Sequence, residues 1–406
     1  MAVAGVKGWK TPTTSGDEYA TLKVGMAFGS RPFPSSCNQF LDRTWTDVST
    51  SVRYCHITRG RTHDLDVFGP DTCEMVLDNR RRLYDPTCTT SVQAGNVIPG
   101  VPVRVDVAIP NGSTNTIYTG YVEGWGLEYP GMLDATVTAR CANGLKFLAL
   151  SNINNTTANP IEGARIDVMA DAVLDAAGWP SGSGWRNLGT AYTSGTDYVA
   201  NEAPALEMLR TLADMENGAF FVDISGKARF VNRNFWADDM KTNRATFDDA
   251  GKHVPYTDIR ISRDDGQLYN RVVVSSVSTH NPSTQSHAGS IASYGERTLT
   301  RLGLYMKTTG DADALGSWLV TRYARPGTRV SRIECKPRTS TKAWDLYDNT
   351  SGIGIGAKVT VNRRPPGGGL IRPVCHVEGI ETTIDVGNND WTLAFDMSPA
   401  ELQPTP

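Results

Sequence analysis

The sequence predicts a mainly β protein with an α+β insertion, in which two small, tube-like β-barrel domains flank a helix-hairpin domain. Three observations predict it. Short segments of alternating apolar and polar residues recur in the first and last thirds of the chain. The 39 glycines and 22 prolines in 406 residues supply the turns that such strands need. Helical spacing is concentrated in the middle, with one further helix later on. A hydrophobic content of 39% supports real cores, and the length suits two to four compact units.

Residues 1–30 are polar and read as an N-terminal arm that would order against a neighbour. Residues 31–150 read as the first β-barrel domain. Val52, Tyr54 and Ile57 sit among polar residues as a half-buried strand requires, and Arg59-Gly60-Arg61 then reads as a tight turn. Cys73, Met75 and Leu77 form the apolar phase of a second strand, which Asp78-Asn79 ends. Asp85-Pro86 marks the next turn. Val101, Val103, Val105 and Val107 alternate up to a hairpin signal at Asn111-Gly112. Ile117, Tyr121 and Val122 return, Trp125, Leu127 and Tyr129 follow, and Leu133, Ala135, Val137 and Ala139 alternate up to Cys141. Five or six short strands so spaced predict a small barrel or sandwich.

Residues 151–245 read as the helix-hairpin domain, opened by the polar linker Asn152 to Asn159. Ile166, Met169, Val173, Leu174 and Ala177 recur at helical spacing from Glu162 to Ala177, and Gly178 and Pro180 end that helix. A second helix starts at Pro204, buries Leu206, Leu209, Leu212 and Ala213, and stops at Asn217-Gly218. Phe220, Val222 and Ile224, a Ser225-Gly226 turn, and Ala228, Phe230 and Val231 make a hairpin. Residues 246–406 read as the second barrel domain with one helix. Its strands carry Ile259 and Ile261, Asn270 to Val277, Ile333, Val359 and Val361, Val374 and Val377, and Trp391, Leu393 and Phe395. Its helix opens at Asp311 and ends at Arg325-Pro326-Gly327; His280 to Ser290 reads as a mobile polar loop. No exact internal repeat is visible, but the similar size of the two β regions fits a duplicated barrel.

The chemistry-bearing residues form no constellation from which a catalytic, cofactor or metal site could be named. Six histidines include no HExxH and none beside a cysteine pair at zinc spacing. His56 and His63, near Asp64 and Asp66, are the one metal candidate, weighed against surface polar residues around a turn. Asp238-Asp239, Asp248-Asp249 and Asp264-Asp265 are carboxylate pairs, but adjacency does not make two carboxylates converge across a cleft. Gly352-Ile353-Gly354-Ile355-Gly356 precedes a strand, not the helix that a phosphate-binding loop requires. Arg80-Arg81-Arg82 and Arg363-Arg364 could meet DNA phosphates, acidic patches on neighbouring subunits, or solvent. Trp179, Trp185 and Tyr192 could stack on sugars or cap a small core.

The seven cysteines include no CxxC and read as small buried hydrophobes in a reducing compartment. A net charge of −3 gives no chain-wide nucleic-acid footprint. No run of about 18 apolar residues is present, so no membrane span is expected. The N-terminus, with Lys7 and Lys10, lacks the apolar stretch of a secretory signal, which predicts synthesis and retention in a cytoplasm.

Several segments, in order, resemble minor tail proteins of long-tailed (siphovirus-type) phages of actinobacteria. They are Asp47-Val48 to Arg59-Gly60-Arg61, Leu77-Asp78-Asn79 to Tyr84-Asp85-Pro86, Ile98-Pro99-Gly100-Val101-Pro102-Val103-Arg104-Val105, Tyr118-Thr119-Gly120-Tyr121-Val122, Val377-Glu378-Gly379-Ile380, and Trp391 to Ala400. The likeness covers the chain after residue 30. Arg80-Arg81-Arg82 departs from it, standing where a more acidic, glycine-bearing turn is expected. The helix-then-hairpin unit Leu206 to Arg233 likewise resembles phage hub proteins.

The resemblance implies a baseplate hub of the virion tail tip, without enzymatic activity or cofactor. It further implies a homotrimer of two-barrel subunits that imitates a sixfold ring, joins the sixfold tail tube to a threefold tip and lines the channel of DNA exit. Expected partners are a distal tail protein, a tape measure protein, other tail-tip proteins and DNA in transit. The rival readings are a hexameric distal tail ring protein, a host-envelope-binding adhesin, and a tail-associated peptidase or muramidase.

Overall fold

The computed structural model describes residues 20–33, 37–109, 113–155, 160–235, 242–263, 265–277, 282–337, 346–347 and 353–400. The Asn111-Gly112 turn, the end of the Asn152–Asn159 linker, Asp238-Asp239, Asp264, His280 and Gly352 lie outside the described residues, as do residues 1–19.

Period-two alternation builds the first half. Its strands are β1 (Thr21–Met26), β2 (Thr46–Asp47), β3 (Val52–Gly60), β4 (Thr72–Asp78), β5 (Pro102–Ala108), β6 (Thr114–Gly131) and β7 (Asp134–Ala142). They pair in the order β3-β4-β7-β6-β5-β1-β2. A single 3-10 turn, Ser49–Ser51, joins β2 to β3. That bent strand pairs with β1 at one end and with β4 at the other, so the path returns to its start. β1 belongs to the stretch read as an arm. It is a core strand instead, because Leu22, Val24 and Met26 alternate into the first core against Val103, Val105 and Val107.

The middle of the chain is α1 (Leu145–Leu150), β8 (Asn152–Ile153), α2 (Ile166–Ala176), β9 (Arg186–Leu188), β10 (Ala203–Pro204), α3 (Ala205–Glu216), β11 (Ala219–Val222) and β12 (Ala228–Val231). Asn217, in the left-handed region at φ 50°, ends α3. Gly226 at φ 80° turns the β11–β12 hairpin.

The remaining elements are β13 (Ala245–Asp248), β14 (Asp258–Ser262), β15 (Arg271–Ser276), β16 (Ser283–Ser286), α4 (Ala288–Tyr294), β17 (Thr298–Leu304), α5 (Thr309–Tyr323), β18 (Arg329–Cys335), β19 (Lys358–Asn362), β20 (Val374–Asp385) and β21 (Asp390–Pro399). The stretch read as a mobile loop from His280 to Ser290 contains β16 and the start of α4. β16 has no apolar alternation because it is an edge strand, held by main-chain pairing with β15. The His287 ring caps α4 by accepting from the Ser290 N–H at 3.1 Å.

β14, β18, β21, β20, β19 and β13 repeat the order of the first half, with β14 in the place of β3 and β13 in the place of β1. This path also returns to its start: Phe247 of β13 bridges Val254, four residues before β14. The two halves differ in one direction. β1 runs antiparallel to β5, whereas β13 runs parallel to β19. The register carries a bulge at the same place in each, at Val122-Glu123-Gly124 on β6 and Val377-Glu378-Gly379 on β20.

One core spans both halves and includes Val24, Met75, Val105, Val137, Ile333, Val359 and Phe395. A second core gathers α2, α3, β11 and β12 together with Val272, Val274, Leu304, Leu315 and Leu319. The segment of β15 to α5 therefore packs with the helix-hairpin elements, although it follows β14 in the chain. Gly195 bridges Met306, and the Tyr198 and Tyr305 rings meet edge-on at 4.9 Å between centroids, which ties the two stretches together.

Candidate functional site at the seam of the two β halves

The two halves join edge to edge. β20 is long enough to serve two partners: residues 374–376 pair with β19, and Gly379–Asp385 pair with β3 of the first half, from Gly379↔Gly60 to Asp385↔Tyr54. One sheet thus runs from β14 to β2. Arg59-Gly60-Arg61, read as a tight turn, is the end of β3 at this seam. Gly60 has φ 88°, and a Cβ there would clash with the Glu378 carbonyl oxygen. A Cβ on Gly379 would stand 2.6 Å from the Arg61 carbonyl oxygen. Glycine is needed here for close approach of two backbones.

Beneath the seam lies a buried polar cluster. Arg61 Nε donates to Glu378 Oε2 at 2.8 Å, with side-chain exposures of 7% and 2%. The Arg61 guanidinium also covers the Phe68 ring at 4.8 Å. Burial pushes the Glu378 carboxyl above its ordinary pKa, while Arg61 pulls it down. Asp64 accepts from the Tyr323 hydroxyl at 2.5 Å and pairs with Arg322 at 3.4 Å, and its N–H donates to Ser398 Oγ at 2.9 Å. Burial holds His376 down at about 4. The cluster binds both β halves to α5, and its charges are spent on one another.

The sheet face opposite the core is charged with both signs. Glu74 pairs with Arg140 at 3.8 Å, and the equivalent positions in the second half carry Arg332 and Asp396 at 3.1 Å, the same bridge with its charges exchanged. His56, once a metal candidate, lies on this face, with Thr383 at 3.0 Å and Glu381 at 3.9 Å. Among the described residues no three His, Cys, Asp or Glu side chains converge as a metal site would require. Asp66 caps its own loop through Thr62, and Asp64 belongs to the cluster above.

The other candidates are likewise occupied locally. Arg364 pairs with both Asp248 and Asp249 at 2.6 Å, which joins a basic cluster to an acidic pair across β13 and β19. Arg80 pairs with Asp78, Arg82 pairs with Asp85 at 2.7 Å, and Asp265 pairs with Arg297 at 2.5 Å. Trp179 and Trp185 are buried in the second core, where the Trp179 indole donates to the Trp185 carbonyl at 3.1 Å; Tyr192 stays exposed. Ile353 and Ile355 pack against the first core, and Gly356 turns into β19. The seven cysteines are free, and six are buried. The seam escaped sequence reading because its residues come from strands more than 300 positions apart, but the repeated Val-Glu-Gly was a visible signal.

No protein-family model and no curated protein matches the chain. Solved structures do match. A tail protein from Neisseria meningitidis MC58 superposes with a TM-score of 0.62 at 11% identity, covering 95% of this chain and 100% of that one. The 43 kDa tail protein of prophage MuSo2 from Shewanella oneidensis gives 0.59 at 13% identity over 94% and 99%. The E. coli c3393 protein, a type VI secretion component described as similar to the T4 phage tail proteins gp27 and gp5, gives 0.51 at 10% identity over 88% and 76%. The chain shares the fold of these proteins along nearly its whole length.

Proposed function

We propose that this chain is a structural hub protein of a phage tail tip, acting as a trimer that joins a sixfold tube to a threefold tip and lines the channel through which DNA leaves. The observation that carries the reading is the pair of β halves with one strand order, fused edge to edge in a single sheet. Two equivalent units per chain allow three chains to present six, and repeated head-to-tail contacts close into a ring. The tail proteins that share the fold support a place in a tail. An origin in a long-tailed phage of actinobacteria rests on the sequence resemblance.

The charged sheet face suits a channel wall. Its alternating signs are neutralised by neighbours, so passing phosphates meet no run of unpaired cations, and each phosphate contact avoided lowers retention. The role is assembly rather than catalysis. Its partners are a distal tail protein, a tape measure protein and other tail-tip proteins.

The likeness to a type VI secretion component favours one second reading, the equivalent hub of a secretion device. Cryo-EM of the native particle, counting copies of this chain and their position, tests both. Three copies around the axis at the distal end of a phage tail support the hub. Six copies point to a distal ring protein, peripheral copies to an adhesin, and copies on a secretion tube to the second reading.

A further inference from the structure

The seam inside one chain prescribes the seam between chains. In the chain, β3 lies against the second part of β20. The strand equivalent to β3 in the second half is β14, and the strand equivalent to β20 in the first half is β6. Among the described residues β14 pairs only with β18, and β6 beyond residue 122 pairs only with β7. One half therefore ends in an open β14 edge, and the other in an open β6 edge.

We infer that β14 of one chain adds antiparallel to the open edge of β6 of a second copy, in the register that β3 and β20 already use. The inference rests on the ring reading above and specifies its contact. The equivalences follow from the pairing: Ile259 and Arg260 face Ile333 and Arg332 of β18 as Cys55 and His56 face Met75 and Glu74 of β4. Likewise Leu127 and Glu128 face Val137 and Thr136 of β7 as Thr382 and Thr383 face Leu393 and Thr392 of β21. The internal pairs Cys55↔Ile384, His56↔Thr383 and Ile57↔Thr382 then become Ile259↔Tyr129, Arg260↔Glu128 and Ile261↔Leu127.

The chemistry of these three central pairs, out of the seven in the β3–β20 register, is complementary. A cation meets an anion, an isoleucine meets a leucine, and an isoleucine meets a tyrosine. Tyr129 is 62% exposed in the isolated chain, and Arg260 and Glu128 are exposed. Gly124 is a second, independent sign. Its counterpart Gly379 is needed because β3 approaches closely, yet a Cβ on Gly124 would meet nothing within 4 Å and its φ is not positive. A glycine kept at an open edge fits a strand that arrives there. An exposed edge with apolar side chains is a pairing template, and the occupant with the matching register is a second copy of this chain.

Cross-linking tests the contact on the full chain. Arg260→Cys and Glu128→Cys variants are oxidised mildly, separately and mixed, with the unaltered chain as control for its own thiols. The expected result is a covalent pair of chains in the mixture alone, and, in a chain with both cysteines, a ladder that ends at three. A trimer in sedimentation without the cross-link overturns this contact and leaves the ring reading standing. A ladder that closes at six upholds the contact and overturns the threefold reading. A chain that stays monomeric at every concentration and forms no cross-link overturns the contact. Charge reversal gives a second measurement. Arg260→Glu and Glu128→Arg should each weaken self-association by at least about tenfold, since like charges would then face each other. The double reversal should restore it to within about threefold. Unchanged melting curves of both variants show that folding is not the cause, and a double reversal that fails to restore association overturns the pairing.

Discussion

The first β half and the second follow the same strand order, yet the same short motif meets opposite environments in them. Glu378 of the second half is buried against Arg61, because β3 lies over that bulge. Glu123 of the first half stands exposed and pairs with Lys146, because among the described residues no second strand pairs with β6 there. Gly379 is hemmed in, and Gly124 stands in open space. Local sequence sets the bulge. The neighbouring strand decides whether its glutamate is a buried structural charge or a surface one.

That contrast can be broken most forcefully at the glutamates. Glu378→Ala leaves Arg61 buried without its carboxylate and should cost about 3–5 kcal/mol in urea unfolding. Glu123→Ala should cost no more than about 1 kcal/mol, as for an exposed pair. Equal costs would mean that the seam is not what buries Glu378.

Between pH 7 and 4, acid should act on the second half through His376. His376 is held at about 4 against an ordinary 6.5, so the unfolded chain takes up a proton that the folded chain refuses. The stability present above pH 6.5 is lost as pH falls toward 4, by about 3 kcal/mol in all. His376→Gln should flatten that part of the profile, read from unfolding midpoints between pH 7 and 4. The equivalent position on β6 is Tyr121, which offers no such titration in that range.

The glycines sharpen the comparison further. Gly379→Ala should destabilise the chain by about 1–3 kcal/mol, since the added methyl meets backbone. Gly124→Ala should leave the melting of the isolated chain within about 0.5 kcal/mol of the parent. The smallest difference is expected at the exchanged ion pairs. A double-mutant cycle on Arg332 and Asp396, about three-quarters buried, should give up to about 1 kcal/mol of coupling. The exposed Glu74–Arg140 pair should give close to none. A stronger coupling at Glu74–Arg140 would mean that exposure does not govern these bridges.

The sequence by itself determined the local elements. Val103, Val105 and Val107 had to form a strand with one apolar face, the Leu206, Leu209 and Leu212 spacing had to bury one side of a helix, and Asn217-Gly218 had to stop it. Helices α2 and α3 and most strands of both halves are legible from such patterns, because alternation and caps act over a few residues; the short α1 is not. What only the tertiary structure decided is which edges meet. Gly60 reads equally well as a turn and as a close-approach residue, and its partner Gly379 lies over 300 positions away. β16 and β17 escape because their pairing with β15 is made by main-chain groups, which leave no trace in side-chain pattern. The buried Arg61–Glu378 pair escapes for the same reason. A charge can be buried only where another strand brings its counter-charge, and that neighbour is a property of the whole fold.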